Sequence, residues 1–272
     1  INLKKIEDNL KFTHYSIVTN RISGFPSKND IYSIYEDSQN QLWVGGAKGL
    51  FRLSRDENGT IYFKPISNLI GLPSNEAIQT IAEDKLGRLI IGTGKALYLF
   101  KANYNKSRAV KIYNGSYNAI QIDKANNIWV GTNNGLLYFE NQEQNQLPTL
   151  KNKFIYNPIS TNSISKNIIK SLFIDKTGIL WIGTNGGGIN KMNPKRKQFK
   201  LIKKTLDPNS LSYDKIRSIF EDSKNNLWIG TEGCGLNIIP TKNDDGTYTN
   251  FINLKTVLKP FAIEKLKTQK LL

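Results

Sequence analysis

Five aspartates, and the glycine-rich segments that follow them, are the residues of this chain whose types could do chemistry. Each aspartate stands eight residues before a glycine, in the pairs Asp37 and Gly45, Asp84 and Gly92, Asp123 and Gly131, Asp175 and Gly183, and Asp222 and Gly230. Taken alone, the DKTG and WIGTNGGG segments around Asp175 and Gly183 resemble a general-acid site or a phosphate loop. Their fivefold repetition indicates a structural unit instead.

Turn formation is a sufficient role for the five aspartates. Each begins a segment Asp-x-x-Asn/Gly-x, and its fourth residue is a type that tolerates positive φ: Asn40, Gly87, Asn126, Gly178 and Asn225. The Asp carboxylate can accept hydrogen bonds from backbone N–H groups within such a turn. The glycine segments lack the Lys-Ser/Thr pair and the following helix of a phosphate loop. We therefore expect no catalytic residue among them.

The remaining candidates for chemistry are a single histidine, His14, and a single cysteine, Cys234. One cysteine excludes an intramolecular disulfide and a cysteine metal cluster, and one histidine excludes a multi-histidine metal site. We expect His14 to lie at the surface and Cys234 to be a turn thiol. The sequence predicts no metal site and no cofactor.

The repeat also contains the tryptophans of the chain. Trp43, Trp129, Trp181 and Trp228 each stand two residues before the glycine, and Ile90 takes that place in the second copy. The glycines are 47, 39, 52 and 47 residues apart, which is the period of propeller blades and too long for leucine-rich repeats. Each copy has the pattern of an antiparallel meander. The predicted fold is all-β, a β-propeller of four-stranded antiparallel blades with five repeats present.

One position of the repeat is polar and different in every copy. In the first strand, exemplified by IKSLFID, the first and fourth places are mostly Ile or Leu and the third is small, as an innermost strand requires. The second place holds the candidate ligand-binding residues Tyr32, Gln79, Asn118, Lys170 and Arg217. Such a position faces either a central channel or loop face, where a ligand could reach it, or a solvated blade rim.

Loops give a second set of candidates. The turns between the second and third strands contain Lys48, Lys95, Asn133, Asn134 and Glu232. The connections between blades contain a serine four residues before the next inner strand: Ser27, Ser74, Ser165 and Ser212. In a propeller these connections gather on one face, and long loops on a rigid scaffold are where binding normally occurs.

The predicted organisation has three parts. Residues 1–30 form an outer strand of a preceding or closing blade, at residues 12–18 (FTHYSIV), and a connection. Residues 31–252 form five blades, at about 31–65, 78–113, 117–156, 168–202 and 216–252. Residues 253–272 are a linker or the start of a further segment.

The charge of the chain limits its partners. The net charge is +16, which favours nucleic acid, acidic polysaccharide, anionic lipid or an acidic protein face. The basic residues are spread along the chain without a basic stripe, so we do not expect a nucleic-acid partner. No run of eighteen apolar residues is present, so a membrane contact would need a transmembrane segment outside this sequence.

The unit I-x-S-I-x-E-D-x-x-x-N-L-W-I-G-T-x-x-G-L-N, best matched at residues 216–237, resembles the two-component regulator propeller repeat. That repeat is typical of the periplasmic sensor regions of hybrid two-component histidine kinases in gut Bacteroidetes. The resemblance covers about residues 12–252, and its second copy, LIIGTGKAL, is degenerate. It implies seven-bladed propellers, so we expect these five repeats to be part of a larger ring. It also implies a parent kinase anchored in the inner membrane, propellers without chemistry of their own, and polysaccharide breakdown products as signals.

Three functions compete at this point. The favoured one is a periplasmic propeller that senses an oligosaccharide; for an acidic ligand, Lys170 and Arg217 are the natural carboxylate or sulfate partners. The second is an interaction scaffold that pairs with the rest of the sensor chain or forms a homodimer through unmatched sheet edges. The third is a propeller glycosidase or lyase. The D-x-x-G/N-x-x-W turn is similar to the Asp box of sialidases, but its Asp and Trp are one residue further apart.

Overall fold

The computed structural model describes residues 30–73, 76–101, 108–141, 146–160, 162–194, 198–240 and 252–253. The strand expected at residues 12–18, together with His14, Ser27, Ser74 and the segment 254–272, lies outside the described residues.

Within these ranges the chain forms twenty strands and no helix, in five four-stranded sheets. The first blade consists of β1 (Ile31–Glu36), β2 (Leu42–Gly46), β3 (Gly49–Arg55) and β4 (Ile61–Pro65), and the second of β5 (Ile78–Glu83), β6 (Arg88–Thr93), β7 (Ala96–Lys101) and β8 (Val110–Asn114). The third consists of β9 (Tyr117–Ile122), β10 (Ile128–Thr132), β11 (Gly135–Glu140) and β12 (Thr149–Phe154). The fourth consists of β13 (Ile169–Ile174), β14 (Leu180–Thr184), β15 (Ile189–Asn193) and β16 (Gln198–Ile202), and the fifth of β17 (Ile216–Glu221), β18 (Leu227–Thr231), β19 (Leu236–Ile239) and β20 (Ile252–Asn253).

Every sheet is an antiparallel meander whose strands pair in sequence order. The first strand of each blade contacts the first strand of the next, through β1 and β5, β5 and β9, β9 and β13, and β13 and β17. These four contacts arrange the blades around one axis with their first strands innermost. The predicted all-β propeller of four-stranded blades is confirmed.

The repeated glycines permit close contact between neighbouring blades. A Cβ added to Gly183 would lie 2.6 Å from Cγ2 of Ile216, the first residue of the next inner strand. The same test places a Cβ at Gly45 2.7 Å from Cγ2 of Ile78. A side chain at either position would therefore overlap the following blade. Gly is required because of this approach of two sheets and not because of a phosphate.

Four apolar clusters fill the four gaps between blades. In the first gap, Trp43 and Leu50 of the first blade pack with Ile78 and Ile81 of the second. In the last gap, Trp181 packs with the apolar side chains of β17 and β18. Trp43, Trp129 and Trp181 are all at most 1% exposed, as expected for the residue that fills the space between blades. Burying side chains of this size, at about 25 cal/mol per Å² of apolar surface, is the main stabilisation of the array.

The first and fifth blades, at the two ends of the array, depart from this burial of apolar side chains between blades. Ile34 of the first blade is 67% exposed, whereas its counterparts Ile81 and Ile120 are buried against a preceding blade. On the other side of the array, Phe220 of the fifth blade is 61% exposed, and Trp228 is only partly buried. The fourth place of the inner strand, which is mostly Ile or Leu, is therefore not a core position in the first blade. Whether the residue at this place is buried depends on a neighbouring blade and not on the sequence of its own strand.

Candidate functional site

The propeller has two faces that differ in which loops they carry. The inner strands begin on one face, which also carries the hairpins between second and third strands; we call it the loop face. The inner strands end on the opposite face at the Asp turns, and we call this the turn face. All ten candidate residues predicted for binding belong to the loop face, because they lie at the start of an inner strand or in one of those hairpins.

A β-bulge explains the variable position of the repeat. In the fourth blade Ile169 is opposite Thr184 and Ser171 is opposite Gly183, which leaves Lys170 without a cross-strand partner. The same shift occurs in every blade, and the residues that it leaves unpaired are Tyr32, Gln79, Asn118, Lys170 and Arg217. Bulges redirect side chains and are common beside binding sites. The five candidates are thus the five residues that the blade ladder does not constrain.

The bulge also explains the spacing of the inner-strand core. Ile169 and Leu172, three residues apart, both pack in the gap toward the third blade, near Gly131. In a regular strand, residues three apart point to opposite faces, so an extra residue must lie between them. Sequence reasoning found the variable place but missed the bulge. Its signal was present, in two apolar columns at a spacing of three instead of two.

Two of the variable residues contact candidates from the neighbouring hairpin. The Asn118 side-chain amide donates to Oδ1 of Asn133 at 2.9 Å and to the backbone carbonyl of Ile169 in the next blade at 2.7 Å. Arg217 forms an ion pair with Glu232, with 2.9 Å between the guanidinium nitrogen and the carboxylate oxygen. The structure therefore brings the two sets of candidates together in the third and fifth blades.

The side chains of the other candidates form no hydrogen bond or ion pair with another candidate among the described residues. Tyr32 is 45% exposed, and Gln79 and Lys170 are partly buried. Lys48, Lys95 and Asn134 are exposed, and the backbone N–H groups of Lys95 and Asn134 donate to the threonines that close their hairpins. Lys170 has no hydrogen bond or ion pair to any other residue that the structure describes. Since β13 and β17 are adjacent, the cations of Lys170 and Arg217 lie on neighbouring inner strands.

The repeated aspartates are turn residues, as predicted. One oxygen of Asp175 accepts the backbone N–H groups of Thr177 and Ile179, at 2.9 and 3.0 Å. The other oxygen accepts the indole N–H of Trp181 at 2.9 Å, a contact that sequence reasoning missed. The signal for it is the constant six-residue spacing between Asp and Trp. In the fifth blade, hydrogen bonds from the Asn226 amide and the Trp228 indole lower the pKa of Asp222 from 3.8 to about 2.

In the second blade, whose repeat sequence is degenerate, the aspartate accepts a hydrogen bond from a different side chain. The Ile90 side chain has no N–H donor. Nε of Arg88 donates to Asp84 at 2.7 Å in place of the indole. Both side chains are almost fully buried. The same guanidinium reaches Oδ1 of Asn141 in the third blade at 2.6 Å. The arginine thus replaces the tryptophan as hydrogen-bond donor, and with all oxygens engaged these carboxylates are poor candidates for acid–base chemistry.

The serines of the connections are also explained by hydrogen bonds. The buried Asn190 accepts the backbone N–H of Ser165 at 3.0 Å and donates to its hydroxyl at 2.9 Å. Asn237 and Ser212 repeat this pair in the fifth blade. Each connection is therefore held to the blade that it enters. A structural role accounts for both serines.

Among the described residues, no group of three or more His, Cys, Asp and Glu side chains could hold a metal ion. No helix in the described part of the chain is long and apolar enough to cross a membrane.

The chain is similar to known proteins both in repeat sequence and in fold. The family model of the two-component regulator propeller matches residues 24–48, 113–134, 163–186 and 210–233. These segments include the first two strands of the first, third, fourth and fifth blades. No curated protein matches the chain.

Solved structures share the fold. The extracellular domain of a hybrid two-component system from B. thetaiotaomicron is 28% identical over 83% of this chain and 28% of that chain, with a TM-score of 0.63. PorZ, a surface component of the type-IX secretion system of Porphyromonas gingivalis, is 16% identical over 76% of this chain and 31% of that chain, with a TM-score of 0.58. Virginiamycin B lyase of Staphylococcus aureus is 12% identical over 82% of this chain and 70% of that chain, with a TM-score of 0.54. The last two show the fold alone.

The chain is short beside the two-component structure that it resembles. It spans less than a third of the length of the two-component extracellular domain that it resembles. Each of the four segments that the family model matches contains one Asp–Trp–Gly unit of the repeat described above. The chain is therefore a β-propeller, and four of its five blades contain a segment that matches the two-component regulator propeller model.

Proposed function

We propose that this chain is a ligand-sensing propeller from the extracytoplasmic, periplasmic part of a hybrid two-component sensor. Its similarity to an extracellular domain of such a system, at 28% identity, supports this assignment. The parent protein would be a histidine kinase anchored in the inner membrane, and this chain would have no catalytic role of its own.

The ligand in this proposal is an oligosaccharide that binds on the loop face. The observation that carries it is the set of five bulged residues, which differ in every blade although the surrounding columns repeat. Three of them are neutral polar or aromatic side chains, suited to hydroxyl groups and sugar rings, and two are cations. A carboxylate or sulfate on the sugar would be held by Lys170 and by Arg217, whose planar guanidinium offers two parallel donors.

The test is a binding screen of the 272-residue chain and of the intact extracytoplasmic region against neutral and acidic oligosaccharides. The Lys170→Gln/Arg217→Gln variant should bind an acidic ligand about a hundredfold or more weakly, because it loses two charge-assisted hydrogen bonds that contribute about 1.5–3 kcal/mol each. Lys111→Gln/Lys153→Gln removes the same charge from exposed outer-strand positions and should bind normally. Equal losses in both variants would contradict the proposed site.

A second candidate function, an interaction scaffold, is favoured by the exposed apolar residues of the outermost blades. Ile34 and Phe220 occupy positions that other blades bury against a neighbour. We propose that these surfaces pair with the rest of the sensor chain or with a second copy. Sedimentation of the chain tests the second copy: a strictly monomeric species at all concentrations contradicts a homodimer. A glycosidase or lyase is not favoured, because the repeated carboxylates are engaged in turns.

A further inference from the structure

Two connections between blades carry an aliphatic side chain that is exposed to solvent over nearly its whole surface. Ile159, between the third and fourth blades, is 93% exposed, and Leu206, between the fourth and fifth, is fully exposed. Each stands five residues before a buried apolar residue, Ile164 and Leu211 respectively, which packs in the gap between two blades. The two connections thus share a buried anchor and an exposed aliphatic residue. We call the segments around Ile159 and Leu206 the two tips.

The tips are held by hydrogen bonds of their own connections. The Ser163 hydroxyl accepts the backbone N–H of Asn157 at 3.0 Å and donates to the carbonyl of the same residue at 2.9 Å. The Ser210 hydroxyl forms the same pair of bonds with Thr205, at 3.0 and 3.3 Å. Each serine therefore closes the loop that carries a tip. An aliphatic side chain at such a tip adds no burial to the fold, so blade packing does not account for it.

Both tips lie on the loop face, because each connection leads from the end of an outer strand to the start of the next inner strand. The two connections contact the same hairpin, between β14 and β15. The N–H of Asn185 in this hairpin donates to the Ile168 carbonyl at 2.9 Å, and the N–H of Gly188 donates to the Asp214 carbonyl at 2.9 Å. The tips therefore flank the fourth blade on one surface.

Exposed lysines accompany the tips. Lys203 and Lys204 precede Leu206 by three and two residues, and their ammonium groups form no hydrogen bond or ion pair with any residue that the structure describes. In the other connection the exposed Lys166 lies over the Tyr156 ring, with its ammonium 5.6 Å from the centroid. The lysines beside Leu206 are thus available to a partner, whereas Lys166 also has a contact within its own connection.

The two connections, residues 155–168 and 203–215, are cationic as a pair. Their basic residues are all lysines: Lys166, Lys203, Lys204 and Lys215. Their acidic residues are Asp207, which accepts the N–H of Asn209 at 2.8 Å, and Asp214, which accepts that of Lys204 at 2.7 Å. Four lysines against two aspartates leave a net charge of +2. The surface around the tips therefore attracts anions.

The residue types favour a lipid surface over a protein surface. Protein interfaces are enriched in aromatic residues, Met and Arg and depleted in Lys. Here the tips are aliphatic and every cation of the two connections is a lysine. Peripheral membrane contacts combine apolar side chains that enter the headgroup region with lysines that remain among the headgroups. The net charge of +16 attracts the chain to an anionic bilayer in addition.

We propose that the two tips dock the loop face of the fourth blade on an anionic lipid bilayer. Ile159 and Leu206 enter the headgroup region, and Lys203 and Lys204 contact lipid phosphates. Such a contact is peripheral, and the lack of a long apolar run in the sequence does not bear on it. The inference does not rest on the proposed function, because no candidate binding residue belongs to either tip.

The experiment is sedimentation of the 272-residue chain with vesicles of phosphatidylglycerol and phosphatidylcholine in equal parts, and with vesicles of phosphatidylcholine alone. The anionic vesicles should bind the chain saturably and at least tenfold more tightly than the neutral ones. Ile159→Ser/Leu206→Ser should weaken this binding about a hundredfold, since loss of each buried aliphatic side chain weakens it about tenfold. Lys203→Gln/Lys204→Gln should weaken it about thirtyfold, at about fivefold for each lysine.

Two matched controls remove the same types of side chain from the turn face. Val110→Ser/Leu147→Ser replaces two exposed apolar residues at the starts of outer strands, and Lys101→Gln/Lys111→Gln replaces two exposed lysines of the second blade. Both controls should bind the anionic vesicles as the unchanged chain does. All four variants change exposed side chains, so equal thermal unfolding midpoints confirm that the fold is kept.

The proposal is overturned if the anionic vesicles do not bind the chain, or if neutral vesicles bind it equally well. It is also overturned if the tip variants bind as the unchanged chain does, or if the controls lose as much affinity. A further result against it is self-association of the chain without lipid that Ile159→Ser/Leu206→Ser abolishes, because the tips would then be a protein interface.

Discussion

Replacing Asp175 by alanine tests the role of the repeated aspartate most sharply. Asp175 is 3% exposed, and Trp181, whose indole it accepts, is 0% exposed. The substitution leaves a fully buried indole N–H without an acceptor, which costs about 1–3 kcal/mol. It also removes the acceptor of two backbone N–H groups in the turn. We expect the free energy of unfolding to fall by about 3 kcal/mol in total.

Asp56 provides a matched control within the same chain. Its carboxylate also accepts two backbone N–H groups, from Asn58 and Thr60 at 3.0 and 2.8 Å, but it is exposed and has no tryptophan partner in the structure. Asp56→Ala should therefore cost about 0.5–1 kcal/mol, the value of a solvated turn or cap. The difference between the two variants measures the buried indole bond.

A double-mutant cycle with Trp181→Phe separates this bond from other effects. Phenylalanine keeps an apolar ring in the gap but has no N–H group, so the aspartate no longer satisfies a buried donor. Asp175→Ala should then cost about 1–2 kcal/mol less than in the original background. Urea unfolding followed by circular dichroism gives each value, with unchanged m-values as the check on two-state behaviour. Equal costs of Asp175→Ala in both backgrounds, or equal costs of the Asp175 and Asp56 variants, would refute the reasoning.

Three further predictions follow from the packing and the polar contacts. Gly183→Ala should lower the free energy of unfolding by about 1–3 kcal/mol through overlap with Ile216, and a smaller loss than 0.5 kcal/mol in urea unfolding would contradict the close approach of the blades. Asn190→Ala should cost about 1–3 kcal/mol, since it leaves the Ser165 N–H without its acceptor; unchanged thermal unfolding would count against the contact. Because the folded pKa of Asp222 is lower than its ordinary value, its contribution to stability is present above about pH 4 and is lost as the pH falls through about 2. Asp222→Asn should accordingly lose less stability between pH 4 and pH 2 than the unchanged chain, and identical acid unfolding curves would show that this carboxylate is not coupled to folding.

The fold could be predicted from sequence because its defining residues recur. The turn residue Asn40 adopts a φ of 59°, and Gly87 and Gly178 at the same place have φ of 69° and 85°. Asn or Gly, which tolerate positive φ, recur three residues after each aspartate. This spacing identifies the turn without any tertiary information. The glycine of the second strand is equally informative, since each blade needs the same close contact with the next.

Features that depend on contacts between repeats were not predictable in the same way. The exposure of Ile34 reflects what lies beside the first blade, and its own strand sequence resembles that of buried copies. The exchange of an indole for the Arg88 guanidinium could not be inferred from the second copy alone, because the donor moved two residues along the strand.

The candidate binding residues could be predicted in part from the sequence. Their variability pointed to the second place of the inner strand, and the bulge supplies the physical reason for it. The contact of Arg217 with Glu232 was not predicted, because ion pairs between a strand and the following hairpin depend on side-chain direction.

The most direct test of the central claim is a binding isotherm of the intact extracytoplasmic region with an acidic oligosaccharide found in the screen, repeated with the Lys170→Gln/Arg217→Gln variant. We predict saturable binding that weakens about a hundredfold or more in this variant and stays unchanged in Lys111→Gln/Lys153→Gln. Saturable binding with the same affinity in all three proteins would contradict a site at the bulged residues of the loop face.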